Sequence, residues 1–215
     1  MKEATLFIVD DHPVMRMGLS CLIGAADDLR VIGEAGSAEE AIEKLKAIEA
    51  PDLILVDISL PDKNGLDLLK DLKTVCPEAM PLVISSHDEE VYAERVLRAG
   101  GRGYVMKDRA PDQLVKAVRL VLAGGIFLSD SMTAQMMEVF ASGGASGSSI
   151  SALTDRELEV YRLIGEGRVS REIAAQLGIS VRTIDAHRTH IKDKLGLRDA
   201  AELAYEAIRW MESQG

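Results

Sequence analysis

Three aspartates, a serine and a lysine stand at the ends of short apolar runs. Asp10 and Asp11 follow LFIV, Asp57 follows LILV, Ser85 follows PLVI and Lys107 follows GYVM. Two carboxylates about 4 Å apart repel by roughly 4 kcal/mol at an effective dielectric near 20. The Asp10–Asp11 pair therefore needs solvent, a basic side chain or a metal ion beside it. Oxygen-rich clusters suit Mg²⁺, which takes one or two carboxylates with waters and phosphate oxygens. Such an ion also screens Asp57 from an incoming phosphoryl group, itself an anion. Phosphoryl transfer asks for positioning and charge stabilisation more than for covalent machinery. In that chemistry Asp57 is the nucleophile that forms an acyl phosphate. Lys107 neutralises phosphoryl oxygens, and Ser85 donates a hydrogen bond to one. Singly, an aspartate at a strand end caps a turn and a lysine after a strand is solvated; the set of five points to a site.

The elements that must bring these residues together can be read from periodicity. The runs LFIVD (6–10), VIGEA (31–35), LILVD (53–57), PLVIS (81–85) and GYVM (103–106) predict strands. Helical patterns lie between them, around 13–25, 37–49, 65–75, 88–99 and 111–123, with Ser37 and Pro111 as helix-start residues. Strands alternating with helices imply a parallel sheet covered on both faces. Ligands of such sheets bind beyond the carboxyl ends of the strands, so all five residues converge on one edge. A helix around 130–140 follows, preceded by AGGIFLSD, a turn with a short extended piece. The segment ASGGASGSSIS (141–151) reads as a flexible linker. The chain divides accordingly into residues 1–125, a linker helix and Gly/Ser-rich linker over 126–151, and residues 152–215.

The last part is helical. Thr154 stands three residues before Glu157, a capping box, and Leu158, Tyr161, Leu163 and Ile164 supply an apolar face. Residues 170–196 contain a short helix, a Gly178-Ile179-Ser180 turn and a second helix, the sequence form of helix-turn-helix. Ser170 and Ser180 suit N-cap positions. A final helix over 199–212 carries Ala200, Leu203, Ala204, Ala207, Ile208 and Met211 on one stripe. The 215 residues have a formal net charge of −10, with 47% hydrophobic and 28% charged residues, ordinary for a globular protein. Within that acidic chain, residues 168–198 hold seven basic and three acidic side chains. This patch bears on nucleic acid only where a fold presents it. No apolar run approaches the length of a membrane span, and the N-terminus lacks a signal peptide's long apolar stretch, so a cytoplasmic location is expected. Cys21 and Cys76, far apart, are expected to be reduced thiols.

The first part resembles response-regulator receiver domains over residues 5 to about 123. VDDHP matches the acidic pair. LVDISLPDKNGLDLL matches the segment around the phosphoacceptor, with Asp57, Pro61 and Gly65. LVISSHDEE places Ser85 at the Thr/Ser switch position, and AGGRGYVMKD gives Tyr104 as switch aromatic and Lys107 as the lysine. The resemblance implies an α/β flavodoxin-like sheet of order 2-1-3-4-5 and a Mg²⁺ site of Asp10, Asp11, Asp57 and the Ser59 carbonyl. It also implies phosphoryl transfer to Asp57 from a sensor histidine kinase, with self-catalysed hydrolysis, and movement of Ser85 and Tyr104. Ser59 and His87 occupy positions where the family varies residues that tune phosphoryl lifetime.

Residues 153–197 resemble the LuxR-type helix-turn-helix, so the whole chain is similar to NarL/FixJ-type response regulators, with a small all-α four-helix domain after the receiver. On the outer face of the second motif helix, Arg182, Arg188 and Lys192 are expected phosphate contacts, with Thr183 a further candidate. Asp185, Ala186 and Thr189 are candidate base-edge readers. Asp185 stands where relatives carry lysine; it either accepts from cytosine N4 or pairs with Arg182 or Arg188. His187 and His190 suit backbone-contact or packing roles better than metal ligation. A half-site per domain calls for a homodimer on double-stranded DNA, with Leu203, Ala207 and Met211 as the expected dimer contact. Two rival readings differ in class. A phosphorylation-independent DNA-binding regulator that keeps the receiver fold usually loses an acidic-pair residue, the acceptor or the lysine; none is lost here. A Mg²⁺-dependent aspartyl-phosphate phosphatase needs a carboxylate two residues after the nucleophile and a cap; Ser59 stands there and no cap insertion is visible.

Overall fold

The computed structural model describes residues 3–141 and 149–213. They fall into two compact units, Met1–Met137 and Glu138–Gly215. In the first, β1 (Ala4–Val9), β2 (Leu29–Ala35), β3 (Leu53–Val56), β4 (Met80–Ser85) and β5 (Tyr104–Met106) form one parallel sheet in the order β2-β1-β3-β4-β5. β3 is buried throughout, which explains why its sequence is a continuous apolar run rather than an alternating one. Leu6, Ile8, Leu53, Leu55, Leu82 and Ile84 share one core with α1 (Pro13–Gly24) and α5 (Ala110–Leu122), through Leu19, Ile23, Leu114 and Val118. Helices α2 (Ala38–Ala47), α3 (Gly65–Val75) and α4 (Glu89–Ala99) pack in sequence against one another and bury Leu45, Leu66, Leu69, Leu72 and Val96. Ser37 caps α2 as expected, accepting from the Glu40 amide, and Pro111 lies in the first turn of α5. β1 and β2 each begin two residues before the expected runs.

After α5 the chain returns to the sheet. Phe127 bridges Gly103 in parallel: its amide donates to the Arg102 carbonyl (3.0 Å), and the Tyr104 amide donates to the Phe127 carbonyl (2.9 Å). Only glycine allows this approach, because a Cβ on Gly103 would lie 2.5 Å from that carbonyl oxygen. Ser129 then donates its amide to Glu89 Oε1 at the start of α4 (2.8 Å) and accepts from Met132 at the start of α6 (Asp130–Ala141). Of the expected 141–151 linker, residues 142–148 lie outside the described residues; its end is not featureless, since Ser149–Ala152 form a 3-10 turn.

The second unit holds α7 (Asp155–Gly165), α8 (Ser170–Gln176), α9 (Val181–Leu195) and α10 (Ala200–Ser213). The Thr154–Glu157 capping box is present. Ser180 caps α9, and Gly178 supplies the positive φ of the turn before it. Ser170 is not a cap: it is the first helical residue of α8, and Val169 precedes it with its amide held by Glu172. α7 and α10 approach closely enough that a Cβ on Gly165 would lie 2.4 Å from Met211 and 2.6 Å from the Ala207 carbonyl oxygen. Trp210 packs against Tyr161, ring centres 5.4 Å apart. Among the described residues no helix is long and apolar enough to cross a membrane. Cys21 and Cys76 are free thiols.

Candidate functional site

The sheet register places the site. Val9 and Val56 are partners on adjacent strands, so Asp10 and Asp57 leave the sheet side by side. Ser85 pairs with Met106, which brings Lys107 in beside them. Lys107 Nζ lies 2.7 Å from Asp10 Oδ2 and 2.7 Å from Asp57 Oδ2. Asp10, Asp57 and Ser85 are buried and Asp11 is half-buried. The structure thus brings together all five residues singled out in the sequence.

The electrostatics follow from burial and from that one ammonium. Burial pushes the Asp57 carboxyl up to about 6, with Lys107 opposing and Asp10 adding to the rise. At Lys107, burial disfavours the charge, but attraction to Asp57 and bonding to both carboxylates outweigh it and raise the pKa. One ammonium does not complete the coordination of three carboxylates. Asp10 Oδ2 and Asp11 Oδ1 are buried oxygens without a well-directed hydrogen bond, although Lys107 Nζ and His12 Nδ1 stand at ion-pair distance from them. Buried carboxylate oxygens left short of donors fit a hard divalent cation. Among the described residues, one cluster is tight enough to hold a metal: Asp10, Asp11, His12 and Asp57. His187 and His190 are not part of such a cluster; His190 Nδ1 lies 3.9 Å from Glu157 instead.

Neighbouring residues fix the loops. The Ser59 amide donates to Asp57 Oδ1 (3.3 Å), and Ser59 Oγ lies 2.8 Å from His87 Nε2. His87 stacks on Tyr92, and its amide donates to Ser85 Oγ (3.2 Å). Tyr104 points inward, 1% exposed, and its hydroxyl donates to the His87 carbonyl (2.7 Å). Burial drives its pKa well above the phenolic range. Gly65 is required beneath Asp57: a Cβ there would lie 2.2 Å from the Asp57 carbonyl oxygen. Two residues escaped the sequence reading. His12 stood in the quoted VDDHP stretch, a metal-ligating type beside two carboxylates. Arg16 gave no comparable signal; its guanidinium donates to the Asp10 carbonyl (2.7 Å) and to Glu34 (3.0 Å).

In the second unit α9 buries Ile184 and Ile191 and turns Arg182, Thr183, Asp185, Ala186 and Thr189 to the surface, with Arg188 and Lys192 half-exposed. Thr183 and Thr189 already have local partners, Ser180 Oγ (2.8 Å) and the Asp185 carbonyl (3.0 Å). Among the described residues Asp185 forms no ion pair with Arg182 or Arg188, so its carboxylate is unspent. Glu157 ties α9 to α7: it is buried, binds Lys194 Nζ (2.6 Å) and accepts from the Thr154 amide (2.8 Å). The expected dimer contact needs correction. Leu203 and Ala207 are 0% exposed because they form the α7–α10 core, whereas Met211, beside Gly165, is half-buried and keeps part of its surface open. The large apolar side chains that α10 leaves exposed are Tyr205 and Ile208.

Residues 6–119 match the response regulator receiver domain family, and residues 151–207 match the luxR family of bacterial regulatory proteins. The chain is similar to the oxygen regulatory protein NreC of Staphylococcus carnosus (strain TM300), 33% identical over 210 residues, covering 95% of this chain and 96% of that one. It is similar in structure to RcsB from Salmonella enterica serovar Typhimurium, bound to promoter rprA in the presence of the phosphomimetic BeF3−. The TM-score is 0.71 at 26% identity, covering 95% of this chain and 98% of that one. A structure of two RcsB dimers bound to two parallel DNAs gives a TM-score of 0.60 at 26% identity, covering 95% and 97%. With both halves matched in order, this chain belongs to the NarL/FixJ-type two-component response regulators, in which a receiver domain precedes a LuxR-type helix-turn-helix DNA-binding domain.

Proposed function

We propose that phosphorylation of Asp57 controls sequence-specific DNA binding by the helix-turn-helix unit, and through it transcription, in the cytoplasm. The observation that carries this reading is the Asp57 carboxylate itself. It is buried at a strand end, engaged by one lysine and flanked by two further carboxylates with oxygens to spare. An Asp57 oxygen attacks the phosphorus of a phosphohistidine on a partner sensor kinase; the P–N bond breaks, and the imidazole leaves and takes up a proton. Lys107 is placed to neutralise the transferred oxygens and Ser85 to donate to one of them. Asp10, Asp11, Asp57 and the Ser59 carbonyl are the residues that would hold Mg²⁺, and the ion, when bound, supplies positive charge to the phosphoryl oxygens. Ser59 bonds both Asp57 and His87, and His87 in turn donates to Ser85 and accepts from Tyr104 on β5, a route by which a local charge at the acceptor biases a two-state element.

On DNA, Arg182, Thr183, Arg188 and Lys192 set affinity and register through phosphates, and Asp185, Ala186 and Thr189 face base edges. Two copies on paired half-sites form the bound species, as the RcsB dimers on DNA support. Tyr205 and Ile208, the large exposed apolar residues on α10, with half-buried Met211, are the candidates for that contact. The experiment is intact mass after acetyl phosphate treatment, with Mg²⁺ or chelator, for the native chain and Asp57→Asn. An adduct that requires both Mg²⁺ and Asp57 supports the switch, and DNA binding is then compared in the two states. Absence of an adduct on folded protein, with both acetyl phosphate and a phosphorylated kinase, points to a regulator that works without phosphorylation.

A further inference from the structure

His12 is the nitrogen donor in the acidic cluster, and phosphoryl transfer as described makes no use of it. It is the N-cap residue of α1, yet its side chain makes no capping hydrogen bond. The ring turns back to the strand ends, Nδ1 2.6 Å from Asp11 Oδ1 and 3.3 Å from Asp10 Oδ1. A simple ion pair is a weak reason for that placement, because the ring is 66% exposed and exposed pairs contribute little. Lys107 engages the Oδ2 atoms of Asp10 and Asp57; the imidazole faces the Oδ1 atoms of Asp10 and Asp11. Asp11 Oδ1, nearest the ring, is buried and receives no well-directed hydrogen bond.

The distances suit one coordination sphere. The ligand atoms of Asp10, Asp11, His12 and Asp57 all lie within 4.8 Å of one another. Neighbouring ligands of an octahedral ion with bonds of about 2.1 Å are about 3.0 Å apart, and opposite ones about 4.2 Å. Shifts of about half an ångström therefore bring all four onto a single ion. An imidazole in that set matters to which ion is held. Mg²⁺ takes oxygen and gains little from a ring nitrogen, whereas first-row transition ions gain from it, increasingly along the series from Mn²⁺ to Ni²⁺.

We propose that His12 is a further protein ligand of this cation site, beside Asp10, Asp11, Asp57 and the Ser59 carbonyl, and shifts its preference from Mg²⁺ toward first-row transition ions. The proposal rests on the reading that Asp10, Asp11 and Asp57 hold a divalent cation. The test uses the full chain loaded with Mn²⁺ and measures electron spin-echo modulation from a directly coordinated ¹⁴N. The modulation is expected in the native chain and in His87→Ala, and is expected to vanish in His12→Ala and His12→Gln. Losing the ligand should weaken Mn²⁺ and Ni²⁺ binding by about tenfold or more, while Mg²⁺ binding, followed by competition, stays within about twofold. Mn²⁺ bound to the native chain without a coordinated nitrogen, or a nitrogen signal that survives in both His12 variants, overturns the proposal. A rise in affinity for every ion in His12→Ala also overturns it, since that marks His12 as a competitor paired with Asp11. Mn²⁺ binding undiminished in an Asp10→Asn, Asp11→Asn variant places the ion elsewhere and removes the underlying reading instead.

Discussion

Neutralising the phosphoacceptor should stabilise the receiver. Asp57 is 1% exposed, and burial lifts its carboxyl from an ordinary 3.8 to about 6 even with Lys107 beside it. A group whose folded pKa is raised holds its proton more tightly in the native state. It favours folding below the unfolded pKa, and that advantage is lost as the pH rises toward the folded one. Between 3.8 and about 6, at about 1.36 kcal/mol per unit, the ionised group costs the native state at most about 3 kcal/mol at pH 7. Asparagine keeps the shape without the charge, and Lys107 keeps its contact with Asp10. Asp57→Asn in chelator is thus expected to exceed the native chain in stability by up to about 3 kcal/mol at pH 7, the gap closing as the pH falls to about 4. Urea unfolding followed by far-ultraviolet circular dichroism measures this. Fluorescence of Trp210, the chain's single tryptophan, reports the second unit separately. Mg²⁺ should narrow the gap at pH 7, because ligand binding to the native state favours the chain with the better site. An Asp57→Asn chain no more stable than the native one at pH 7, or a gap independent of pH, refutes the reasoning.

Glu157→Ala removes the Lys194 pair and the Thr154 amide's acceptor, and should lower the stability of the second unit by about 2 kcal/mol in urea titrations read by Trp210. Burial raises the Glu157 pKa, but the Lys194 and Thr154 hydrogen bonds outweigh it and hold it low. Its contribution is therefore present above the unfolded pKa near 4.5 and lost as pH falls below it, and this acid sensitivity should be smaller in the variant. Gly65→Ala sets a Cβ 2.2 Å from the Asp57 carbonyl oxygen; acetyl phosphate labelling should slow about tenfold or more at a stability loss of about 1–3 kcal/mol. On DNA, Arg188→Ala should weaken binding to all sequences alike and reduce the salt slope by about one. Asp185→Ala should instead change which sequences a binding-site selection recovers, with the salt slope unmoved.

The receiver was legible because its chemistry sits where strands stop. LILVD carries both a buried strand and its terminal carboxylate, so one pattern fixes Asp57 in the chain and in the fold. The same holds for Ser85 and Lys107. Side-chain networks off the strands were not legible: Arg16 reaches the Asp10 carbonyl from one helical turn on, and Glu89 meets Ser129 across forty residues. The α10 stripe misled for a different reason. Leu203, Ala207 and Met211 recur every four residues along one face, but spacing does not say whether that face meets its own domain or a second copy. The close α7–α10 contact at Gly165 decides for the domain itself. Likewise a serine before a helix suggests a cap, yet at Ser170 the helix begins one residue early because Glu172 holds the Val169 amide.

The bridge at Phe127 also sets where the receiver can be cut. A terminal strand offers a row of unpaired amides and carbonyls that invites pairing with other chains. Here the segment after α5 covers part of that row, with Phe127 taking up the Arg102 carbonyl and the Tyr104 amide. A fragment ending at residue 119, where the family match stops, would lack this cover and bare the rim of β5. Its self-association could then pass for a signalling dimer. Receiver fragments and hybrid regulators built from this chain should run through Met132, which keeps the Phe127 bridge and the Ser129 contacts together.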